Sequence, residues 1–167
     1  MASTLSEVRI ITADPSEIEI VLEILDEASR WMVSKGFESQ WHQGPALRQI
    51  IKEGIENDEV YLLKDLHGTI GTITLQWTDR KYWGDQPPES GYIHKFAIRR
   101  SQGGKRLGVR MLQWAEAKAK KEGKEYLRLD CMANNRKIRE YYEKLGFKHV
   151  RDVMMPGWKA SLYQKRI

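Results

Sequence analysis

The stretch Tyr92-Ile-His-Lys-Phe-Ala-Ile-Arg-Arg-Ser-Gln-Gly-Gly-Lys-Arg-Leu-Gly-Val-Arg-Met-Leu112 decides the fold. Its first third is rich in β-branched and aromatic residues, its middle is a glycine pair set among basic residues, and at Gly108 it passes into an amphipathic helical pattern. A strand, a Gly-rich turn and a helix start leave several backbone N–H groups pointing one way without an intrahelical partner. The helix dipole adds partial positive charge there. Gly103, Gly104 and Gly108 admit an anion without obstruction by Cβ, while Arg99, Arg100, Lys105, Arg106 and Arg110 supply counter-charge. The stretch reads as a phosphate cradle suited to a pyrophosphate. The spacings Gly-x-Gly-x-x-Gly and Gly-x(4)-Gly-Lys-Ser/Thr both fail here, which argues against a nicotinamide or ATP ligand.

On the C-terminal side, Leu107, Met111, Leu112, Ala115 and Ala119 form the buried stripe of a helix that Gly123 ends. Tyr126 to Met132 then reads as a strand, with Leu127, Leu129 and Cys131 on one face and Arg128 and Asp130 opposite. Asn135 caps a short helix carrying Ile138, Tyr141, Tyr142 and Leu145, and Gly146 closes it before a strand beginning near Phe147. Ala160 to Lys165 gives the last strand. On the N-terminal side, Val8 to Ala13 is a strand, and Asp14-Pro15 opens a helix through Ile18, Leu22, Leu25, Ala28 and Met32 to Gly36. A loop over 37–45 leads to a second helix from Ala46 to Asn57. Val60 to Asp65 and Thr69 to Trp77 form a hairpin. Thr78 to Ser90 is a loop whose Tyr82 and Trp83 serve either a pocket or the cover of the core. No repeat or linker interrupts residues 1–167, so a single domain is expected.

The net charge of +5 conceals an asymmetry: residues 1–60 carry 12 acidic and 5 basic side chains, and residues 61–167 carry 11 acidic and 23 basic. Aromatic residues are not interleaved with the basic cluster at 99–124, so nucleic-acid binding is not expected, and a compact polyphosphate suits the pattern better. One cysteine, Cys131, excludes an internal disulfide, and the four histidines lie far apart with no metal-ligand spacing, so no metal is expected. The first residues lack a signal-peptide core and no apolar run approaches the ~20 residues of a membrane span. A soluble, cytoplasmic protein without membrane partners is expected.

Two blocks resemble the GNAT superfamily of acetyl-coenzyme-A-dependent N-acetyltransferases. The first is the strand, turn and helix quoted above, where the family's loop Gln/Arg-x-x-Gly-x-Gly/Ala falls on Gly103, Gly104, Lys105, Arg106, Leu107 and Gly108. Two positions depart from it: Gly103 stands where Gln or Arg is usual, and Arg106 replaces the first motif glycine. If that position needs positive φ, Arg106 is strained there by about 1 kcal/mol or more. The second block, Leu-Asp-Cys-Met-Ala-Asn-Asn-Arg-Lys-Ile-Arg-Glu-Tyr-Tyr-Glu-Lys-Leu-Gly-Phe147, is similar to the family's Leu-Glu-Val-x-x-x-Asn-x-x-Ala-x-x-x-Tyr-x-Lys-x-Gly-Phe.

The resemblance implies an α/β (α+β) fold with a mixed, mostly antiparallel sheet of six or seven strands flanked by about four helices. It implies acetyl-CoA as cosubstrate, held by Phe96, Ala97, Ile98, residues 103–108, Val109, Asn135 and Tyr142. It makes Tyr142 the acid that protonates the departing thiolate, and Tyr92 or His94, two apart on one strand face, the base. Read alone, Asn135 is a cap, Tyr142 a core residue and His94 a structural histidine; the two blocks together favour the site roles. The family's acceptor side falls on the acidic region Glu17 to Glu38 and on Phe37, Trp41 and His42, with Trp77 and Trp83 as further lining. A small-molecule amine acceptor is expected, and a homodimer is compatible with the resemblance. A non-catalytic acyl-CoA sensor is the alternative.

Overall fold

The computed structural model describes residues 7–39 and 41–167. The opening segment Met1–Ser6, read above for a leader, and Gln40 of the 37–45 loop lie outside the described residues. Seven strands form a mixed, mostly antiparallel sheet in the order β1-β2-β3-β4-β5-β7-β6, accompanied by five α-helices. The strands are β1 (Arg9–Thr12), β2 (Val60–Asp65), β3 (Gly68–Gln76), β4 (Ser90–Ile98), β5 (Tyr126–Met132), β6 (Lys148–Met155) and β7 (Trp158–Arg166). The helices are α1 (Ile18–Ser34), α2 (Pro45–Glu56), α3 (Arg80–Trp83), α4 (Leu107–Lys121) and α5 (Arg136–Lys144). The fold expected from the sequence is thus present, with one helix more. That helix, α3, is a single turn inside the stretch read as a loop, started by the Asp79 side chain accepting from Tyr82 N at 3.3 Å.

Contacts divide the chain into two compact units, one running to Thr74 and including Lys95–Met111, the other comprising Leu75–His94 and Leu112–Ile167. In the first, β1 pairs antiparallel with β2 and β2 with β3. Asp14 caps the 3-10 turn Pro15–Glu17 ahead of α1 through a capping box: it accepts from Ser16 N at 2.8 Å while Glu17 accepts from Asp14 N at 3.1 Å. The apolar stripes of α1 and α2 meet here. Val21, Leu22, Ile24 and Leu25 pack with Leu47, Ile51 and Ile55, over Val60, Leu62 and Ala97 of the strands.

In the second unit β5 is flanked by β4, parallel over Ser90–Ile93, and by β7, antiparallel along its whole length. The face of β5 carrying Leu127, Leu129 and Cys131 is buried as the alternation requires, and the opposite face is buried as well. Arg128 lies there, donating to Gln164 at 3.0 Å, Gln86 at 3.2 Å and the Tyr92 hydroxyl at 2.9 Å, with its guanidinium 4.5 Å from the Trp83 ring. Burying a guanidinium is tolerable because its donors are so engaged and an aromatic face covers it.

Candidate active site

The glycine turn lies in the first unit. After Ile98 the chain makes a 3-10 turn at Arg100–Gln102, then passes through Gly104 at φ +80° and Arg106 at φ +56° into α4. Arg106 therefore occupies a left-handed position that glycine takes without penalty, the strained case considered above. Gly103, at φ −60°, needs no such freedom.

The turn's cations divide into two sets. Arg99 is anchored: its Nε donates to Thr69 O at 2.9 Å and its Nη1 meets Glu23 at 3.0 Å and Glu27 at 3.2 Å. Glu27 also accepts from Arg100 N at 2.8 Å, and the Arg100 guanidinium lies 3.8 Å from the centre of the Trp31 ring. These two arginines, read from sequence as counter-charge for phosphate, are engaged by α1 instead. Lys105 bonds Gln102 at 2.9 Å, and among the described residues no ion pair engages Arg106 or Arg110. The cations left for an anion are thus Lys105, Arg106 and Arg110.

Strand β4 is irregular at Lys95, which adopts φ +46°, and its pairing with β5 ends at Ile93. A left-handed residue inside a strand redirects the backbone groups that follow it, here those of Phe96, Ala97 and Ile98.

In the second unit, Asn135 caps α5 with its Oδ1 accepting from Ile138 N at 3.1 Å. Arg139 donates to the Tyr163 hydroxyl at 2.9 Å, and that hydroxyl donates to Glu143 at 2.8 Å, so α5 is tied to β7 at both members of its outer turn. Tyr142 is buried against Tyr141 and Phe147, at ring separations of 5.5 and 5.8 Å. Burial holds its phenol protonated well above the usual range, with smaller contributions from Cys131, Tyr141 and Asp130. Among the described residues nothing hydrogen-bonds its hydroxyl. Cys131 is buried too, and burial, followed by Asp130, pushes its thiol up to about 12, as an inert core thiol requires.

Tyr92 and His94 have different surroundings. The Tyr92 hydroxyl accepts from Arg128, and its ring packs edge-on against Trp83 at 6.0 Å. His94 stands between Asp79, 2.9 Å from its Nε2, and Asp130, 3.4 Å from its Nδ1. Sequence spacing gave no hint of this cluster. The three side chains bring one ligand atom each within 4.8 Å of one another, close enough for a cation, although each carboxylate faces a different ring nitrogen.

The residues expected to line an acceptor site scatter. Trp41 packs against the α1–α2 core, Phe37 is half-buried and His42 exposed. A cavity of about 740 Å³ in the same unit is lined by Glu19, Glu23 and Asp26 with Gln43 and Gly44. Its carboxylates are largely matched, Glu19 by Arg48 at 2.5 Å and Asp26 by Arg30 at 2.9 Å. Trp83 is core, buried beside Tyr92 and Leu162. Trp77 lines a cavity of about 240 Å³ in the second unit together with Asp79, Pro87, Pro88 and Tyr92, and the Lys124 ammonium lies 5.5 Å from its ring.

Comparison with known proteins agrees with this architecture. The acetyltransferase (GNAT) family profile matches residues 21–147. The chain belongs to that family of N-acetyltransferases. It is 30% identical over 140 residues to the uncharacterized N-acetyltransferase YesJ of Bacillus subtilis, covering 78% of this chain and 76% of that one. Among solved structures it resembles a GNAT-family acetyltransferase from Listeria monocytogenes, at a TM-score of 0.78 and 24% identity, over 100% of this chain and 99% of the other. It also resembles the PaiA N-acetyltransferase of Thermoplasma acidophilum, solved in complex with coenzyme A, at a TM-score of 0.77 and 19% identity, over 96% and 99% of the two chains. Among the described residues no helix is long and apolar enough to cross a membrane.

Proposed function

We propose that the protein transfers an acetyl group from acetyl-CoA to the primary amine of a small molecule, by direct attack of the amine on the thioester. The observation that carries this reading is the glycine turn. It leads into the first turn of a 15-residue helix through two left-handed residues, and Arg106 and Arg110 are left without an ion pair among the described residues. Backbone N–H groups of residues 104–109 and these side chains bind the pyrophosphate, the Gly103 N–H being already donated to Arg100 O at 3.1 Å. Backbone groups of Phe96, Ala97 and Ile98, beyond the irregularity at Lys95, hold the pantetheine and polarise the acetyl oxygen, and Asn135 orients α5.

Tyr142 gives its proton to the sulfur as the carbon–sulfur bond breaks; a buried phenol kept neutral and without an internal partner is suited to that role. His94 takes the proton that the amine nitrogen sheds. Tyr92 is less suited, because Arg128 already uses its oxygen. Cys131 has no covalent part in direct transfer.

Thermal unfolding with and without acetyl-CoA tests the first half of the reading. A ligand at ~100 times its Kd adds about 2.7 kcal/mol of apparent stability, and absence of a shift at millimolar acetyl-CoA refutes it. Thiol release across a panel of small amines tests the second half. Binding without turnover on any amine would replace the enzyme by an acyl-CoA sensor.

A further inference from the structure

The first half of the glycine turn is held in place by its neighbours in the first unit. Arg99 N donates to Ile70 O at 2.8 Å, Gln102 N to Arg99 O at 2.9 Å and Gly103 N to Arg100 O at 3.1 Å. Arg100 N donates to a side chain of α1: Glu27 Oε1 accepts from it at 2.8 Å. The other oxygen of the same carboxylate, Oε2, accepts from Arg99 Nη1 at 3.2 Å, while Arg99 Nε is fixed on Thr69 O at 2.9 Å. One helical turn further along α1, the Trp31 ring lies 3.8 Å from the Arg100 guanidinium. Glu27 and Trp31, neighbours on one face of the helix, thus grip two consecutive residues. The carbonyls of those two residues are the acceptors that close the 3-10 turn. Glu23 also meets Arg99, at 3.0 Å, but its side chain is 62% exposed against 34% for Glu27, so its ion pair is the more screened of the two.

We propose that Glu27 is a positioning residue for acetyl-CoA: by accepting from Arg100 N it fixes where the 3-10 turn ends, and with it the direction of the N–H groups from Gly104 onward. This rests on the acetyl-transfer reading above and extends it to a residue that no motif marks. Backbone donors recognise an anion well when they are aimed before it arrives, because a turn that must be ordered on binding subtracts that cost from the affinity. Support from α1 matters the more here since Arg106 is left-handed, a conformation that a non-glycine residue keeps only where its surroundings determine it.

Charge and reach make opposite predictions for this residue. Glu27 is an acidic group beside a site for a polyanion, so by Coulomb's law alone its neutralisation tightens acetyl-CoA. Positioning depends on the length of the side chain and on an oxygen at its end. Two variants of the full chain separate the effects. Glu27→Asp keeps the charge but is one methylene shorter, which takes the carboxylate out of reach of Arg100 N. Glu27→Gln loses the charge but keeps an acceptor oxygen at the same reach, and Glu23 still pairs with Arg99.

Calorimetry reads the acetyl-CoA Kd, amide hydrogen exchange reads the Arg100 N–H, urea unfolding reads stability, and thiol release reads KM and kcat. The expected result is a Kd raised about tenfold in Glu27→Asp and within about threefold of wild type in Glu27→Gln. The Arg100 amide exchanges about tenfold faster in Glu27→Asp and stays protected in Glu27→Gln. The loss in Glu27→Asp falls on KM for acetyl-CoA, with kcat at saturation changed less than about threefold. An unchanged Kd in folded Glu27→Asp, the result of a purely structural role, would overturn the proposal. A change beyond about threefold in Glu27→Gln would overturn it too, because affinity would then follow charge. Should Glu27→Asp fail to fold, Glu27→Gln and the wild-type Arg100 amide decide, and an unprotected amide there overturns the clamp. Should wild type bind no acetyl-CoA, the acetyl-transfer reading falls, while the clamp is judged on Arg100 exchange alone.

Discussion

Replacing Tyr142 by Phe removes one oxygen from a buried ring, and its consequences for stability and for turnover should separate. The ring contacts to Tyr141 and Phe147 survive the change, so the packing contribution of the side chain is retained. Because no group among the described residues hydrogen-bonds the hydroxyl, no partner is orphaned. The expected change in unfolding free energy is therefore within about 1 kcal/mol, in either direction. Loss of a general acid costs about 10²- to 10⁴-fold, or about 3–5 kcal/mol in the barrier. The barrier effect thus exceeds the stability effect several-fold. Urea unfolding, acetyl-CoA calorimetry and thiol release on one preparation measure all three quantities. Wild-type kcat in a folded variant that still binds acetyl-CoA would remove Tyr142 from the acid role. A loss of several kcal/mol in stability would show that the hydroxyl has an internal partner after all.

The companion change, Tyr92→Phe, should behave in the opposite way: it leaves a buried Arg128 donor unpaired and costs about 1–3 kcal/mol of stability, with kcat changed less than about threefold. Urea midpoints set beside turnover check it. Arg106→Gly relieves about 1 kcal/mol of left-handed strain but returns a similar amount as unfolded-state entropy, so the unfolding midpoint should hardly move. If Arg106 contacts phosphate, acetyl-CoA affinity falls about tenfold, and unchanged affinity by calorimetry would show that only the backbone there matters. Asp14→Ala removes the cap ahead of α1 and should lower stability by about 1 kcal/mol in thermal unfolding, leaving kcat intact. For Cys131 the folded thiol keeps its proton to about 12, whereas an exposed one loses it near 9, so the unfolded state gains by ionising first. The stabilisation is whole below about pH 9 and is lost as pH rises from there toward 12. Urea midpoints over that range should fall less in Cys131→Ala than in wild type, and iodoacetamide at pH 8 should modify the native thiol far more slowly than the unfolded one.

What could be read from the sequence was local. The strand, turn and helix around Gly104 could be read because their chemistry depends on neighbours in the chain: glycine where φ is positive, unpaired N–H groups at a helix start, an apolar stripe at helical spacing. Tyr142 and Asn135 were placed by a motif that spans one strand and one helix. Allocation of charge was not local, and there the sequence misled. Arg99 and Arg100 counted as phosphate ligands until α1 brought Glu23, Glu27 and Trp31 to them, more than 65 positions away in the chain. The acidic first third and the basic remainder meet here in part, where Arg99 and Arg100 face Glu23 and Glu27.

The cluster at His94 escaped for a related reason. Alternation along β5 assigns Arg128 and Asp130 to the side away from Leu127 and Leu129, and alternation alone equates that side with solvent. Placement of β5 between β4 and β7 makes it an interior strand, and both of its faces are buried. A usable signal was present. In parallel register Tyr92 stands beside Arg128, and two residues further along the strands come His94 and Asp130. Polar groups buried on adjacent strands are costly in an interior unless partnered; the Tyr92 oxygen accepts from the Arg128 guanidinium, and just beyond the last paired residues the Asp130 carboxylate lies 3.4 Å from the His94 ring. The same desolvation that makes such a face expensive strengthens the interactions across it. Polar residues in register on interior strands therefore mark a place where a fold retains charge, and at His94 that charge faces a ring able to carry a proton.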